Sequence, residues 1–108
     1  MTNIIFYAKK DGTLFGLQSK GHAGYGSRGT DIVCASVSIL TINTINSIQK
    51  LTSDKCNEKV NARKATIDFE IDGEVSRESK VLLESLKLGL EAISKDYPGN
   101  VKITVEEV

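Results

Sequence analysis

A chain of 108 residues can bury one core two layers thick but not a second interior, so 1–108 is expected to be a single domain with one site. Its 14 basic and 14 acidic side chains cancel, which argues against the broad basic surface of a nonspecific phosphate binder and leaves no direct nucleic-acid partner expected. No stretch approaches the roughly 20 apolar residues of a membrane span, and the start MTNIIFYAKKDG lacks the apolar run of a secretion signal; a cytoplasmic protein with no membrane partner is expected, its two cysteines, Cys34 and Cys56, held as free thiols.

Residues 3–8 (NIIFYA) are β-branched and aromatic, Asp11-Gly12 supplies turn chemistry, and residues 13–19 (TLFGLQS) form a second such run, which together predict a β-hairpin. The segment GHAGYGSRG, 21–29, holds four glycines and reads as a loop. From 31 to about 51 nothing breaks a helix, and Val33, Val37, Leu40, Thr44, Ile48 and Leu51 recur at steps of three and four. Ile32, Ile39, Ile42 and Ile45 widen that stripe nearly all the way round, which predicts a helix buried on several sides, with a strand the alternative that its many isoleucines and valines leave open.

Residues 52–58 (TSDKCNE) read as a polar loop, with Cys56 an incidental exposed thiol, and 59–64 as a short strand. Ala65, Ile67, Phe69 and Ile71 then alternate with polar residues as far as the Asp72-Gly73 turn, the pattern of a strand with one face in the core. Ser76 suits a helix N-cap, and Leu82, Leu83, Leu86, Leu90 and Ile93 form a narrow stripe that ends at Tyr97-Pro98-Gly99. Val101, Ile103 and Val105 close the chain with a last strand. The order β-β-α-β-β-α-β predicts an α+β fold: one mixed sheet of about five strands packed with two helices, the first largely buried.

The candidate chemistry centres on Cys34. A thiol attacks well only as thiolate, and a position in or just beyond the first turn of a helix favours an anion through the unpaired N–H groups and the helix dipole. Those N–H groups could also hold the oxyanion of a tetrahedral intermediate. His22, the chain's one histidine, is the side chain suited to accept and return a proton near neutrality, and the glycine loop leaves it free to fold over the helix start. Asp31 either orients the imidazole or caps the helix; the sequence leaves both open. Read singly, Cys34 is a packing residue and His22 a loop residue. Their conjunction with four glycines is what points to catalysis. One histidine and two distant cysteines lack the spacing of a zinc module, and Gly24-Tyr25-Gly26-Ser27 lacks the Gly-Lys ending of a phosphate loop, so neither metal nor cofactor is expected. Ser36 and Ser38 read as small residues of the buried helix, either of which could face the site.

Gly21-His22-Ala23-Gly24, then Gly29, then Asp31-Ile32-Val33-Cys34-Ala35, closely resembles the motifs of the ribosomal-processing cysteine protease family, Prp, of Firmicutes and related bacteria. The likeness extends over the chain in length and element order. It implies a cysteine peptidase that removes a short N-terminal extension from a large-subunit ribosomal protein, cutting after an aromatic residue. Cys34 is carried over as nucleophile, His22 as general base, and Asp31 as a motif residue of less settled role. The resemblance also implies a homodimer and a loop that orders over an extended peptide, so that Gly21, Ala23, Gly24, Tyr25, Gly26, Arg28, Gly29 and Ser38 are expected to meet substrate. The rival reading is a non-catalytic module that binds the ribosome or a ribosomal protein; a thiol redox or acyl-carrier role is a third.

Overall fold

A computed structural model describes residues 1–26 and 31–108. The elements are β1 (Thr2–Ala8), β2 (Leu14–Lys20), α1 (Ile32–Leu51), β3 (Cys56–Asn61), β4 (Thr66–Ile71), α2 (Arg77–Asp96) and β5 (Val101–Glu107), in the order expected. They build one mixed sheet with strand order β3-β4-β2-β1-β5, in which β5 runs parallel to β1 and the other pairs are antiparallel. The Lys9 N–H to Thr13 carbonyl bond closes the hairpin, and Asp11 accepts from the Thr13 N–H at 2.9 Å, the Asx contact that makes aspartate a turn residue.

Alternation decides the layers. In β1 Thr2, Ile4, Phe6 and Ala8 are buried, whereas Asn3, Ile5 and Tyr7 face outward to varying degree. Phe6 pairs with Leu17, and Leu17 with Phe69, so three fully buried side chains cross the sheet in a row. Leu83, Leu86 and Leu90 of α2 and Val33, Val37, Ile45 and Ile48 of α1 join them in one cluster. Both helices therefore cover one face of the sheet. On the other face Tyr7, Gln18 and Asp68 hydrogen-bond across strands beside a groove of about 340 Å³.

Four expectations need correction. Helix α1 is not largely buried: Ile32 is 56 % exposed, Ile39 66 % and Ile42 45 %. Two helices on one sheet face offer α1 a single covering side, so a stripe apolar all round leaves part of itself outside. By length and composition α1 also meets the measure of a membrane span, contrary to the expectation that no stretch does, yet its inner face is part of the shared core. Strand β3 begins at Cys56 rather than 59, and Cys56 is half-buried against the core, its Sγ donating to the Asp54 carbonyl at 3.4 Å. Burial, then Asp54, pushes this thiol's pKa up.

Gly16 of β2 sits opposite Glu70 of β4. A Cβ there would collide with the Phe69 carbonyl oxygen and come within 2.8 Å of Glu70 Cα, so the strand must move to admit it. Gly16→Ala is expected to lower unfolding free energy by about 1–3 kcal/mol in a urea titration. Gly99→Ala, with nothing near the added methyl, should change it by no more than about 0.5 kcal/mol; equal effects from the two would contradict the packing described.

Candidate active site

The site is built where α1 begins. Asp31 has extended backbone angles and caps the helix, its Oδ1 accepting the Cys34 N–H at 2.9 Å. Its other oxygen, Oδ2, accepts the N–H groups of Tyr25 at 2.9 Å and Gly26 at 3.3 Å. One carboxylate thus joins the Cys34 turn to the glycine loop. The Cys34 amide above all, with Gly26 and Tyr25 adding, holds the Asp31 carboxyl below its usual range against the opposing effect of burial.

His22 is exposed, but its chain neighbours are not free. Gly21 has φ +95°, and a Cβ there would lie 2.6 Å from the Met1 carbonyl oxygen, so only glycine fits. The Gly21 N–H donates to the Ala65 carbonyl at 3.0 Å, and the Thr2 hydroxyl donates to the Gly21 carbonyl at 3.4 Å. On the far side Ala23 is 1 % exposed, and its carbonyl accepts from Asn100 Nδ2 at 3.0 Å. Next along, the Tyr25 ring meets Tyr97 edge-on with centroids 5.1 Å apart.

Among the described residues, His22, Gly24, Gly26, Asp31, Cys34, Ala35 and Ser38 line one cleft of about 470 Å³. Nucleophile and base candidates therefore face a common space. The cleft is mostly apolar, with the half-buried Cys34 thiol in its wall, which suits an uncharged peptide segment better than a charged small molecule.

The expected residues divide into those in the cleft and those elsewhere. Cys34, His22, Asp31, Gly24, Gly26 and Ser38 line it. Gly21 and Ala23 do not: steric fit and burial give them the work of anchoring the loop. Tyr25 packs on Tyr97 yet remains half exposed beside the cleft. Ser36 hydrogen-bonds back to the Ile32 carbonyl at 2.7 Å. Arg28 and Gly29, with Ser27 and Thr30, lie outside the described residues. The Cys34 amide, offered by sequence to an oxyanion, is committed to the cap instead. Between the two roles left open for Asp31, capping is the one its hydrogen bonds serve, since both oxygens are held by backbone amides. Ala35 was missed, although its place after Cys34 on the helix could have suggested it. Tyr97 and Asn100 were missed too, because only the folded sheet brings them to residues 23–25.

Comparison with known proteins accords with this geometry. Residues 1–102 match the family described as Cysteine protease Prp. The chain is 26 % identical over 98 residues to the ribosomal processing cysteine protease Prp of Bacillus subtilis, covering 87 % of this chain and 88 % of the relative. It is 23 % identical to the enzyme of the same name from Staphylococcus aureus, covering 95 % of this chain and 97 % of that one. The crystal structure of the S. aureus protease with a covalently linked product peptide superposes with a TM-score of 0.93, at 23 % identity over 98 % of this chain and all of that one.

The Asp31 cap has a pH signature. Because its folded pKa lies below the unfolded value of about 3.9, its stabilisation is complete above that value and is lost as pH falls through the folded pKa. Asp31→Asn is expected to melt at a lower temperature than the unsubstituted protein at pH 7, with the gap narrowing below about pH 4. A gap that stays constant from pH 7 to pH 2 would show that the carboxylate charge contributes nothing.

Proposed function

The chain belongs to the cysteine protease Prp family, and from that premise we propose that it removes a short N-terminal extension from a large-subunit ribosomal protein, cutting after an aromatic residue, in the cytoplasm where ribosomes are assembled. The observation that carries the reading is the shared cleft, with Cys34 in its wall on the first turn of α1 and His22 on the loop opposite. Support for a peptide occupant comes from the S. aureus relative, whose crystal structures hold a substrate peptide and a covalently linked product peptide.

In the proposed mechanism Cys34 Sγ attacks the carbonyl carbon while its proton passes to the His22 imidazole. The tetrahedral intermediate collapses, the C–N bond breaks, and His22 returns the proton to the leaving amine. Water, deprotonated by the now neutral imidazole, attacks the thioester and releases the carboxylic acid, and His22 gives its proton back to the sulfur. Asp31 serves by fixing the Cys34 turn against the loop. Gly24 and Gly26 add no side chains to the cleft, which leaves room for an extended peptide backbone along it.

The active form is proposed to be a homodimer joined along α1. Ile32, Ala35, Ile39 and Ile42 are exposed at successive steps of three, four and three, the spacing of a helix-packing seam. No residue from 32 to 49 is charged, so two copies can meet along this helix without like-charge repulsion.

A peptide carrying an aromatic residue before the scissile bond should be cleaved by the unsubstituted protein and not by Cys34→Ala; retained cleavage would end the proposal in favour of a binding module. His22→Ala is expected to slow cleavage by on the order of 10²–10⁴-fold and to slow alkylation of Cys34 by iodoacetamide. Cys56, half-buried with its pKa raised, should label appreciably only once the fold opens. Sedimentation velocity tests the dimer: Ile39→Glu is expected to shift the protein to monomer, and an unchanged sedimentation coefficient would place the interface elsewhere.

A further inference from the structure

His22 faces the cleft and has anchored neighbours on either side, Gly21 and Ala23. The anchors come from a single corner of the sheet. The Thr2 N–H donates to the Asn100 carbonyl at 2.9 Å, which locks the start of β1 to the residue before β5. From this pair two side chains reach the loop: the Thr2 hydroxyl to the Gly21 carbonyl, and the Asn100 amide to the Ala23 carbonyl at 3.0 Å. Asn100 is itself fixed, its N–H donating to the Tyr97 carbonyl at 2.9 Å in the turn that ends α2. A half-buried amide held by its own backbone at both N–H and C=O loses little freedom in making a third bond, so it is preorganised for the Ala23 carbonyl.

We propose that Asn100 is a positioning residue for catalysis: its side-chain amide, clasping the Ala23 carbonyl while Thr2 clasps that of Gly21, sets the place of the His22 imidazole over Cys34. The inference rests on the reading of His22 as general base and adds to it the group that fixes the base. Asp31 cannot do this work alone, since its bonds reach Tyr25 and Gly26 on the far side of Ala23. Without the Asn100 bond the chain between Gly21 and Tyr25 keeps, among the described residues, only the Ala23 methyl as an internal anchor, and an apolar contact resists rotation of the loop far less than a directed hydrogen bond does. Displacement of a general base by about 1 Å is enough to lower a rate by roughly 100-fold.

The test uses the full chain and a double-mutant cycle. Asn100→Ala is expected to lower kcat for peptide cleavage by about 10- to 100-fold with KM changed by less than about twofold, and to slow Cys34 alkylation. In the His22→Ala background the same substitution should change the alkylation rate by less than about twofold, because the base it positions is gone. As the one histidine, His22 also gives a single imidazole signal in NMR, expected to shift and broaden in Asn100→Ala but not in the exposed-face control Asn46→Ala. Thr2→Val removes the opposite clasp with little change of shape and is expected to act in the same direction more weakly, the Thr2 bond being the longer; it replaces Asn100→Ala in the cycle if that variant does not fold. Equal slowing of alkylation in both backgrounds, or normal kcat with an unmoved imidazole signal, overturns the inference while leaving His22 as the base. If His22→Ala itself leaves cleavage and alkylation unchanged, the base reading falls and the inference with it.

Discussion

The contact on which the site depends is the Asp31 carboxylate, shared between the Cys34 amide on one oxygen and the Tyr25 and Gly26 amides on the other. A helix start needs an acceptor for its unpaired N–H groups, and a glycine-rich loop needs something to restrain its backbone. A single anion meets both needs. It also accounts for the spacing of the motif: Asp31 must be the N-cap for Cys34 to fall on the first turn, at the third helical position, with its thiol in the cleft wall.

The topology explains why the loop lies where it does. Because β1 and β2 are antiparallel, the start of β1 lies beside the end of β2; because β5 is parallel to β1, its start lies there as well. β4 likewise begins next to the end of β2, with Lys20 opposite Thr66. Gly21 therefore leaves the sheet into a corner bounded by Met1, Thr2, Ala65 and Asn100, and three of these four touch it or bond to it directly. The glycine-rich loop is anchored where it begins, its first residues fixed by the ends of strands that are remote in sequence.

Much of the fold was legible because local signals and burial agree. Ser76 caps α2, the Asp11-Gly12 turn closes the hairpin, and the alternation through Phe69 marks β4, each the outcome expected from the residues alone. Strand β3 was misplaced because CNEKVN is an edge strand with almost every residue exposed, and no buried face imposes a period of two on it. The burial of α1 was overestimated for a different reason. Apolar periodicity records which faces shun water, not whether the fold supplies a layer to cover each of them. At the site, Cys34, His22 and Asp31 could be read from type and spacing, whereas Asn100 and Tyr97 carry no mark in sequence of the loop they brace, since the register of β5 against β1 is what delivers them.

Helix α1 carries three demands at once, and its composition reflects their compromise. Its inner face, with Val33, Val37, Ile45 and Ile48, belongs to the core; its first turn places the Cys34 thiol in the cleft wall; its outer stripe remains apolar in the isolated chain. Ala35 and Ser38 line the cleft beside Cys34, where a larger side chain would fill part of its space. Ala35 also lies on the exposed seam between Ile32 and Ile39, so the edge of the cleft is continuous with the surface through which two copies are proposed to join. A helix that packs on its own copy at that point would brace the turn bearing Cys34 from outside, as Asp31 braces it from within. On this view the excess of isoleucine, unfavourable for an isolated helix, is tolerated because packing on two sides rather than intrinsic propensity keeps α1 helical.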